Sequence, residues 1–383
     1  MATGFIAQTF AKDILIDPNT RKVTDVRHVV SAVASSSSKS AAEAFIGKHV
    51  APTQSETQCT PYGSYEELVK DPNVDIIYIG TPHSHHYQNA MLALKNNKPV
   101  LCEKALTVNA SQARRLYDVA KEKHLFFMDG VWTRHVPISK TVRQHIINND
   151  IGEVIRVSAD LSIGVMPEDF EVQGRMVNPD LAGGCLLDLG IYSLSWVFQT
   201  MFHTLPPPLR EDRPSVLGTA MTFTSTGVDE SVVALLDFPK STPTGKTKAH
   251  GIVTAAMRIT DSPAGARAEE EVPTIRIQGE KGEIQMFGRI HCPTRYKLLP
   301  KEPNQETIDR TFEMDGAALG LVYEADAAAR ALVAGKLESE IMTWAESTLV
   351  MEVMDQIRHQ GGLTYPEAIE TTEYPVKLYA KSS

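Results

Sequence analysis

VDIIYIGTPHSHH, residues 74–86, passes from a β-branched apolar run through a turn into a helix that continues from Tyr87 to Asn96. A second strand-like run, PVLCEKA, follows at residues 99–105, with its strand over Pro99 to Cys102. Asn109 and Gln112 stand at capping-box spacing for a helix reaching Lys123, and Leu125 to Met128 reads as the next strand. Upstream, His28 to Ser35 (HVVSAVAS) reads as a buried strand and Ala41 to His49 as the helix after it. Strands alternating with helices of ten to fifteen residues indicate βαβ units and a parallel sheet.

The pattern changes further along. A helix from Ile138 to about Asn148 ends at Asn149-Asp150-Ile151-Gly152, and strands predominate from Glu153. Val216 to Phe223, Val232 to Phe238, Ile252 to Ile259, Thr274 to Gln278 and Glu283 to Phe287 are separated by Gly-, Pro- and Ser/Thr-rich turns. Lys240 to Lys248 reads as a mobile hairpin tip, and a last helix runs from about Met342 to His359. The expected fold class is α/β. A Rossmann-type doubly wound parallel sheet over residues 1–135 precedes an α/β substrate-binding and dimerisation domain with a large, mostly antiparallel sheet over 136–383. The substrate is expected in the cleft between the two.

A chain of 383 residues exceeds one compact core, which agrees with two domains. Its 42% hydrophobic and 22% charged content is ordinary for a globular protein. The net charge of −9 (38 − 47) is spread along the chain, with no clustered basic face for nucleic acid. Cys59, Cys102, Cys185 and Cys292 lie far apart, which fits reduced thiols rather than a disulfide framework. No secretory signal pattern and no uninterrupted apolar run of the ~20 residues a membrane helix needs are evident, so a cytoplasmic protein without a membrane partner is expected.

Three segments are candidates for holding a dinucleotide. Thr3-Gly4 opens a helix-like run in which a glycine lets backbone amides approach a pyrophosphate, although the same pattern fits an ordinary helix start. The loop Ser35-Ser36-Ser37-Ser38-Lys39 follows the strand where NAD-selective proteins place an acid. Hydroxyls and an ammonium suit a 2′-phosphate, so NADP is preferred, with Ser35, Ser36, Ser37 and Lys39 as its contacts; a solvated loop is the other reading. Thr81, Pro82, His83 and His86 stand at the carboxyl end of a parallel strand, where a dinucleotide is contacted. The histidines there lack a carboxylate or cysteine at zinc-site spacing, so no metal is expected.

The Ser-rich loop, TPHSHH, Cys102-Glu103-Lys104-Ala105, Trp132-Thr133-Arg134, and Gly183-Gly184 ahead of Asp188-x-x-x-Tyr192 occur in that order. So ordered, the chain resembles the glucose-fructose oxidoreductase / inositol dehydrogenase / MocA family, most of all its fungal NADP-dependent xylose dehydrogenase and dimeric dihydrodiol dehydrogenase branches. The likeness runs from Ala2 to Tyr365-Pro366-Glu367 and includes Tyr323-Glu324-Ala325-Asp326 and Lys336-Leu337-Glu338-Ser339. The resemblance implies that Glu103 and Lys104 sit beside the nicotinamide ribose, with Lys104 in catalysis. It implies that Trp132 and Arg134 line the cleft near the cofactor, that Trp132, Asp188 and Tyr192 meet the substrate, and that the protein is a homodimer joined through the open face of its second sheet. Two departures stand out: Ala105 where the family often has proline, and Asp129-Gly130 where Glu-Ala is more usual. In family members a strand of the form W-G-I precedes the segment matching Met1 to Gly4; the expectation is that the natural polypeptide starts upstream, and that a short form would be poorly stable and weak in NADP binding.

Oxidising a hydroxyl-bearing carbon requires removal of the hydroxyl proton as hydride leaves for the cofactor. Asp188 and Tyr192 are one helical turn apart, beside the apolar stripe Leu187, Ile191, Leu194, Phe198 and Met201. A phenol with pKa about 10 needs a nearby cation to act as a base at neutral pH. Tyr192 as base with Lys104 as its electrostatic partner is one assignment, and Lys104 itself as base is the other; Asp188 then binds substrate or orients the lysine. The expected reaction is oxidation of an aldopyranose, D-xylose foremost, at C1 to the lactone. The alternatives are oxidation of a trans-1,2-dihydrodiol and a non-catalytic NADP-binding sugar sensor.

Overall fold

The computed structural model describes residues 1–210, 212–242, 245–261, 272–317 and 319–378. In chain order its elements are α1 (Phe5–Ile14), β1 (Ala32–Ala34), α2 (Lys39–His49), β2 (Thr60–Tyr62), α3 (Tyr65–Leu68), β3 (Ile77–Ile79), α4 (His83–Lys95), β4 (Val100–Glu103), α5 (Ala110–Glu122), β5 (Phe127–Gly130) and α6 (Pro137–Ile147). There follow β6 (Val154–Ser162), α7 (Ile191–Met201), β7 (Ser215–Thr222), β8 (Asp229–Thr242), β9 (Gly245–Ala256), β10 (Ile275–Gly279), β11 (Gly282–Phe287), β12 (Arg295–Pro300), β13 (Ile308–Thr311), α8 (Leu321–Val333), α9 (Trp344–Gln360) and α10 (Glu367–Glu370). They form two compact units, each discontinuous in sequence: Met1–Trp132 with Met314–Thr348 and the segment from Glu367, and Thr133–Glu313 with Leu349–Pro366. The single boundary read from the sequence at 135/136 therefore misses two C-terminal returns to the first unit.

In the first unit every strand pairing is parallel, in the orders β1-β2 and β3-β4-β5. Met1 and Ala2 lie between these ladders: the Met1 amine donates to Tyr78 O at 2.8 Å, Gly80 N donates to Met1 O at 3.1 Å, and Ala2 N donates to Ala34 O at 3.2 Å. Burial pushes the Met1 amine down to about 5. β1 is shorter than the run from His28 to Ser35 because a side chain replaces the ladder at its start. Val30 N donates to Gln54 Oε1 (2.8 Å) and Gln54 Nε2 donates back to Val30 O (3.0 Å). The Asn109 cap forms, its Oδ1 accepting from Gln112 N at 3.0 Å. The return bond is donated by Val108 N to Gln112 Oε1 (3.2 Å), so the box closes one residue early.

α8, which no pattern in the sequence announced, packs on α1. Asp13 Oδ2 accepts from Gly320 N (2.9 Å) and Leu321 N (3.0 Å), and Asp326 accepts from Arg21 Nη1 (2.6 Å) and lies 2.8 Å from His28 Nε2. The block 336–339 covers the edge of β5, where Phe127 N donates to Leu337 O and Trp344 Nε1 donates to Phe127 O.

The second unit is built on an eight-stranded sheet in the order β13-β12-β11-β10-β6-β9-β8-β7. All its pairings are antiparallel except β6 with β9. β8 alternates as a half-buried strand must: Val232, Ala234, Leu236 and Phe238 are buried, while Val233 and Leu235 are exposed. The expected hairpin tip is mostly ladder, Lys240 pairing with Thr247 and its Nζ held by Glu153 Oε1 at 2.9 Å; residues 243–244 lie outside the described residues. α7 is buried on every side rather than along a stripe. With its lead-in, Pro179–Met201 is long and apolar enough to cross a membrane, but its most apolar stretch is wholly buried in this unit, as in a core helix.

Candidate active site

In the first unit, the three candidate segments lie at the N-termini of α1, α2 and α4, which follow the Met1–Ala2 segment, β1 and β3. Gly4 caps α1 with no side-chain bond, and a Cβ there would meet nothing within 4 Å, so the space over these amides is open. After β1 the serines divide their work. Ser35 is buried and bonds Ser37 Oγ at 2.9 Å, and Ser38 caps α2 through Ala41 N (3.1 Å). Ser36, Ser37 and Lys39 stay exposed at the N-terminus of that helix. Hydroxyls, an ammonium and a positive helix end fit a phosphate group. After β3, Thr81 accepts from Asn89 Nδ2 at 3.1 Å and Pro82 caps α4.

His86, expected at the cofactor, has its ring turned into the protein. It is buried, with Nε2 2.7 Å from Thr81 O and Nδ1 3.0 Å from Ala105 O, so neither ring nitrogen is left for a ligand. Two carbonyl acceptors would favour a doubly protonated ring, but burial outweighs them and takes it down to about 4. His83 is also buried, its ring edge-on to His86 at 5.6 Å.

Lys104 follows β4 directly and is half-buried, and its peptide bond to Ala105 is cis. Its neighbour Glu103 is buried and accepts from Tyr78 Oη at 2.7 Å, which turns one carboxylate oxygen into the protein rather than toward a ribose. Burial pushes Glu103 up to about 7, against the pull of the Lys104 ammonium and the Tyr78 hydroxyl. Glu324, from α8, is fully buried, and neither of its oxygens has a hydrogen-bond partner among the described residues. Burial raises it well above the carboxylate range, and the charges of Glu103 and Asp129 raise it further. Asp129 itself accepts from Ser347 Oγ at 2.6 Å. Gly130 is required as it stands, since a Cβ would lie 2.8 Å from Cys102 O across the β4–β5 ladder. Trp132, expected on a cleft wall, is 1% exposed and so belongs to the core.

In the second unit Arg134 is likewise fully buried rather than cleft-lining; its Nε donates to Ser195 Oγ on α7 at 3.1 Å. Gly183-Gly184 leads into a wide π turn, Leu186–Gly190, that runs on into α7. Gly184 has φ +115°, and a Cβ there would fall 1.9 Å from Asp229 Oδ1. Asp229 is buried, its Oδ2 accepting from Leu186 N at 2.5 Å, and burial raises its carboxyl above the usual range. Tyr365 Oη donates to Gly183 O at 3.2 Å, and Ser193 Oγ donates to Thr254 O at 2.9 Å. These bonds fix the start of the helix that carries Asp188 and Tyr192, both nearly buried.

Asp188 accepts from Arg175 Nη1 at 2.7 Å, and the Tyr192 ring lies 5.5 Å from the His291 ring. Arg175, Asp229 and His291 were absent from the sequence reading. Arg175 lies in irregular chain, and nothing local distinguishes Asp229 or His291 from other polar residues near strand ends. No group of three or more His, Cys, Asp or Glu suited to a metal occurs among the described residues.

Residues 3–131 match the family model described as "Oxidoreductase family, NAD-binding Rossmann fold", and residues 139–285 match the "GFO/IDH/MocA C-terminal domain". The chain belongs to the GFO/IDH/MocA oxidoreductase family. It is 46% identical over 98% of its length to the "D-xylose 1-dehydrogenase (NADP(+))" of Hypocrea jecorina, of which it covers 95%. It is 31% identical over 96% of its length to the "Trans-1,2-dihydrobenzene-1,2-diol dehydrogenase" of Sus scrofa, covering 97% of that protein. Among solved structures it resembles a 3-ketoreductase from Actinomadura kijaniata in complex with NADP and TDP-benzene (TM-score 0.69, 19% identity, 94% of this chain and 96% of the other). It also resembles a levoglucosan dehydrogenase in complex with NADH and levoglucosan (TM-score 0.72, 16% identity, 94% and 95%). At these identities the structures establish the GFO/IDH/MocA fold alone.

Proposed function

We propose that this GFO/IDH/MocA oxidoreductase uses NADP to oxidise an aldopyranose, D-xylose foremost, at C1 to the lactone. The observation that carries the reading is the 46% identity, over nearly the whole chain, with a D-xylose 1-dehydrogenase (NADP(+)). NADP rather than NAD is supported by the end of β1, where Ser36, Ser37 and Lys39 are exposed and no acid takes their place. When bound, the nicotinamide accepts the hydride from C1. The anomeric hydroxyl proton then goes to a side chain, and Tyr192 and Lys104 are its two candidates. Asp188, held by Arg175, is the proposed acceptor for a substrate hydroxyl.

The test is NADPH formation by the purified chain on D-xylose, other aldopyranoses and a trans-1,2-dihydrodiol, with NAD in parallel. A higher kcat/KM with D-xylose than with the dihydrodiol, and with NADP than with NAD, is the expected outcome. The reverse preference would make the protein a dihydrodiol dehydrogenase, and NADP binding without turnover on any substrate would make it a sensor. We also propose a homodimer formed through the open face of the eight-stranded sheet, where Leu217, Leu235 and Ile252 make one cross-strand row with Leu217 and Leu235 exposed.

A further inference from the structure

The loop between β11 and β12 enters the second unit's core and comes out beside Tyr192. Ile290 is fully buried, and its carbonyl accepts from Trp196 Nε1 at 2.7 Å and from Thr133 Oγ1 at 3.4 Å. The loop is closed on both flanks, by Thr274 Oγ1 donating to Gly288 O (2.8 Å) and by Cys292 N donating to Arg289 O (2.9 Å). Trp196 stands one turn beyond Tyr192 on α7, so one helix face presents the phenol and grips the loop. The next residue after the gripped carbonyl is His291. Its half-buried ring therefore stands at a fixed place, 5.5 Å from the Tyr192 ring and tilted 50° to it.

We propose that His291 is a specificity-determining residue that hydrogen-bonds a ring hydroxyl of an aldopyranose held at Tyr192; this rests on the aldose reading above. An imidazole carries a donor and an acceptor where an aromatic hydrocarbon ring carries neither. An aldopyranose has hydroxyls around most of its ring, and each one desolvated without a partner weakens binding. A dihydrodiol has only two hydroxyls, and the rest of its ring is apolar. A site that hydrogen-bonds a substrate hydroxyl discriminates strongly against molecules lacking it. His291 thus favours the sugar, and its loop anchors make that preference rigid rather than adaptable.

The experiment compares wild type, His291→Phe and His291→Asn on D-xylose and on trans-1,2-dihydrobenzene-1,2-diol. His291→Phe keeps a ring against Tyr192 and removes both nitrogens. We expect it to lower kcat/KM for D-xylose roughly ten- to a hundredfold, mainly through KM, without lowering the dihydrodiol value. His291→Asn, which keeps a donor and an acceptor, recovers part of the loss. An unchanged ratio between the two substrates in His291→Phe, or an equal loss on both, overturns the proposal while leaving the aldose reading intact. Should His291→Phe fail to fold, His291→Leu is read in the same way. A wild-type enzyme that oxidises no aldose overturns the aldose reading, and this proposal with it.

Discussion

Position 184 has room for hydrogen and nothing more. Its φ of +115° already excludes most side chains, and the Asp229 carboxylate fills the space where a Cβ would go. Gly184→Ala must therefore displace a buried carboxylate from Leu186 N, and we expect a cost of about 3 kcal/mol or more in urea unfolding. Glu103 gives a different prediction. Its folded-state pKa is raised from 4.5 to about 7, so between those values the native state holds a proton that the unfolded state has released. Stability attributable to this group falls as pH rises from 4.5 to 7 and is fully restored only below 4.5. His86, lowered from 6.5 to about 4, slopes the other way, losing stability as pH falls through that window. Glu103→Gln should remove the first slope, so that its stability relative to wild type increases between pH 5 and pH 8; a constant difference would show that Glu103 does not titrate there. At the site itself, Tyr192→Phe should lower kcat about 10²–10⁴-fold if the phenol takes the proton. A larger kcat effect from Lys104→Met than from Tyr192→Phe would move that role to the lysine.

At the scale of elements, what was legible followed from local pattern. The apolar runs at β3, β4 and β5 are bounded by turn residues, and Asn109 announces its helix with a side chain that does cap it. Gly183-Gly184 could be marked for attention because two adjacent glycines ahead of an apolar helix imply a close approach. Long-range partners were not legible. His86 looks like a ligand in the sequence because its two carbonyl partners are five and nineteen residues away. Trp132 and Arg134 read as a cleft wall although both are core, since spacing does not say which side of a chain is covered. β12, β13 and the alanine-rich α8 carry weak periodic signals and are held by partners far along the chain. α8 shows how strongly such partners can act. The Asp326 side chain is almost wholly buried, and burial alone would raise its pKa, but His28 and Arg21 together pull it below the usual range. Asp326→Ala leaves a buried guanidinium unpaired, and we expect about 3–5 kcal/mol of destabilisation by chemical denaturation. A loss under 1 kcal/mol would mean that water reaches Arg21.

For the whole molecule, the open sheet face is the feature that bears on assembly. Leu217 is 71% exposed beside Leu235 and Val233 on strands whose other faces are packed. Leu235→Glu should convert dimer to monomer in light-scattering measurements at micromolar protein; a wild type that is already monomeric there would remove the basis for the homodimer. The discontinuous first unit has a consequence for biosynthesis. Residues 1–132 leave the ribosome first, but the helix that Asp13, Arg21 and His28 bind is made only after the intervening unit has emerged. At about 5–20 residues per second, this nascent N-terminal segment therefore spends many seconds with its α1 face uncovered, a target for holding chaperones. Ribosome-bound chains stopped before Leu321 should show residues 1–132 open to protease, and chains that extend past Val333 should show them closing.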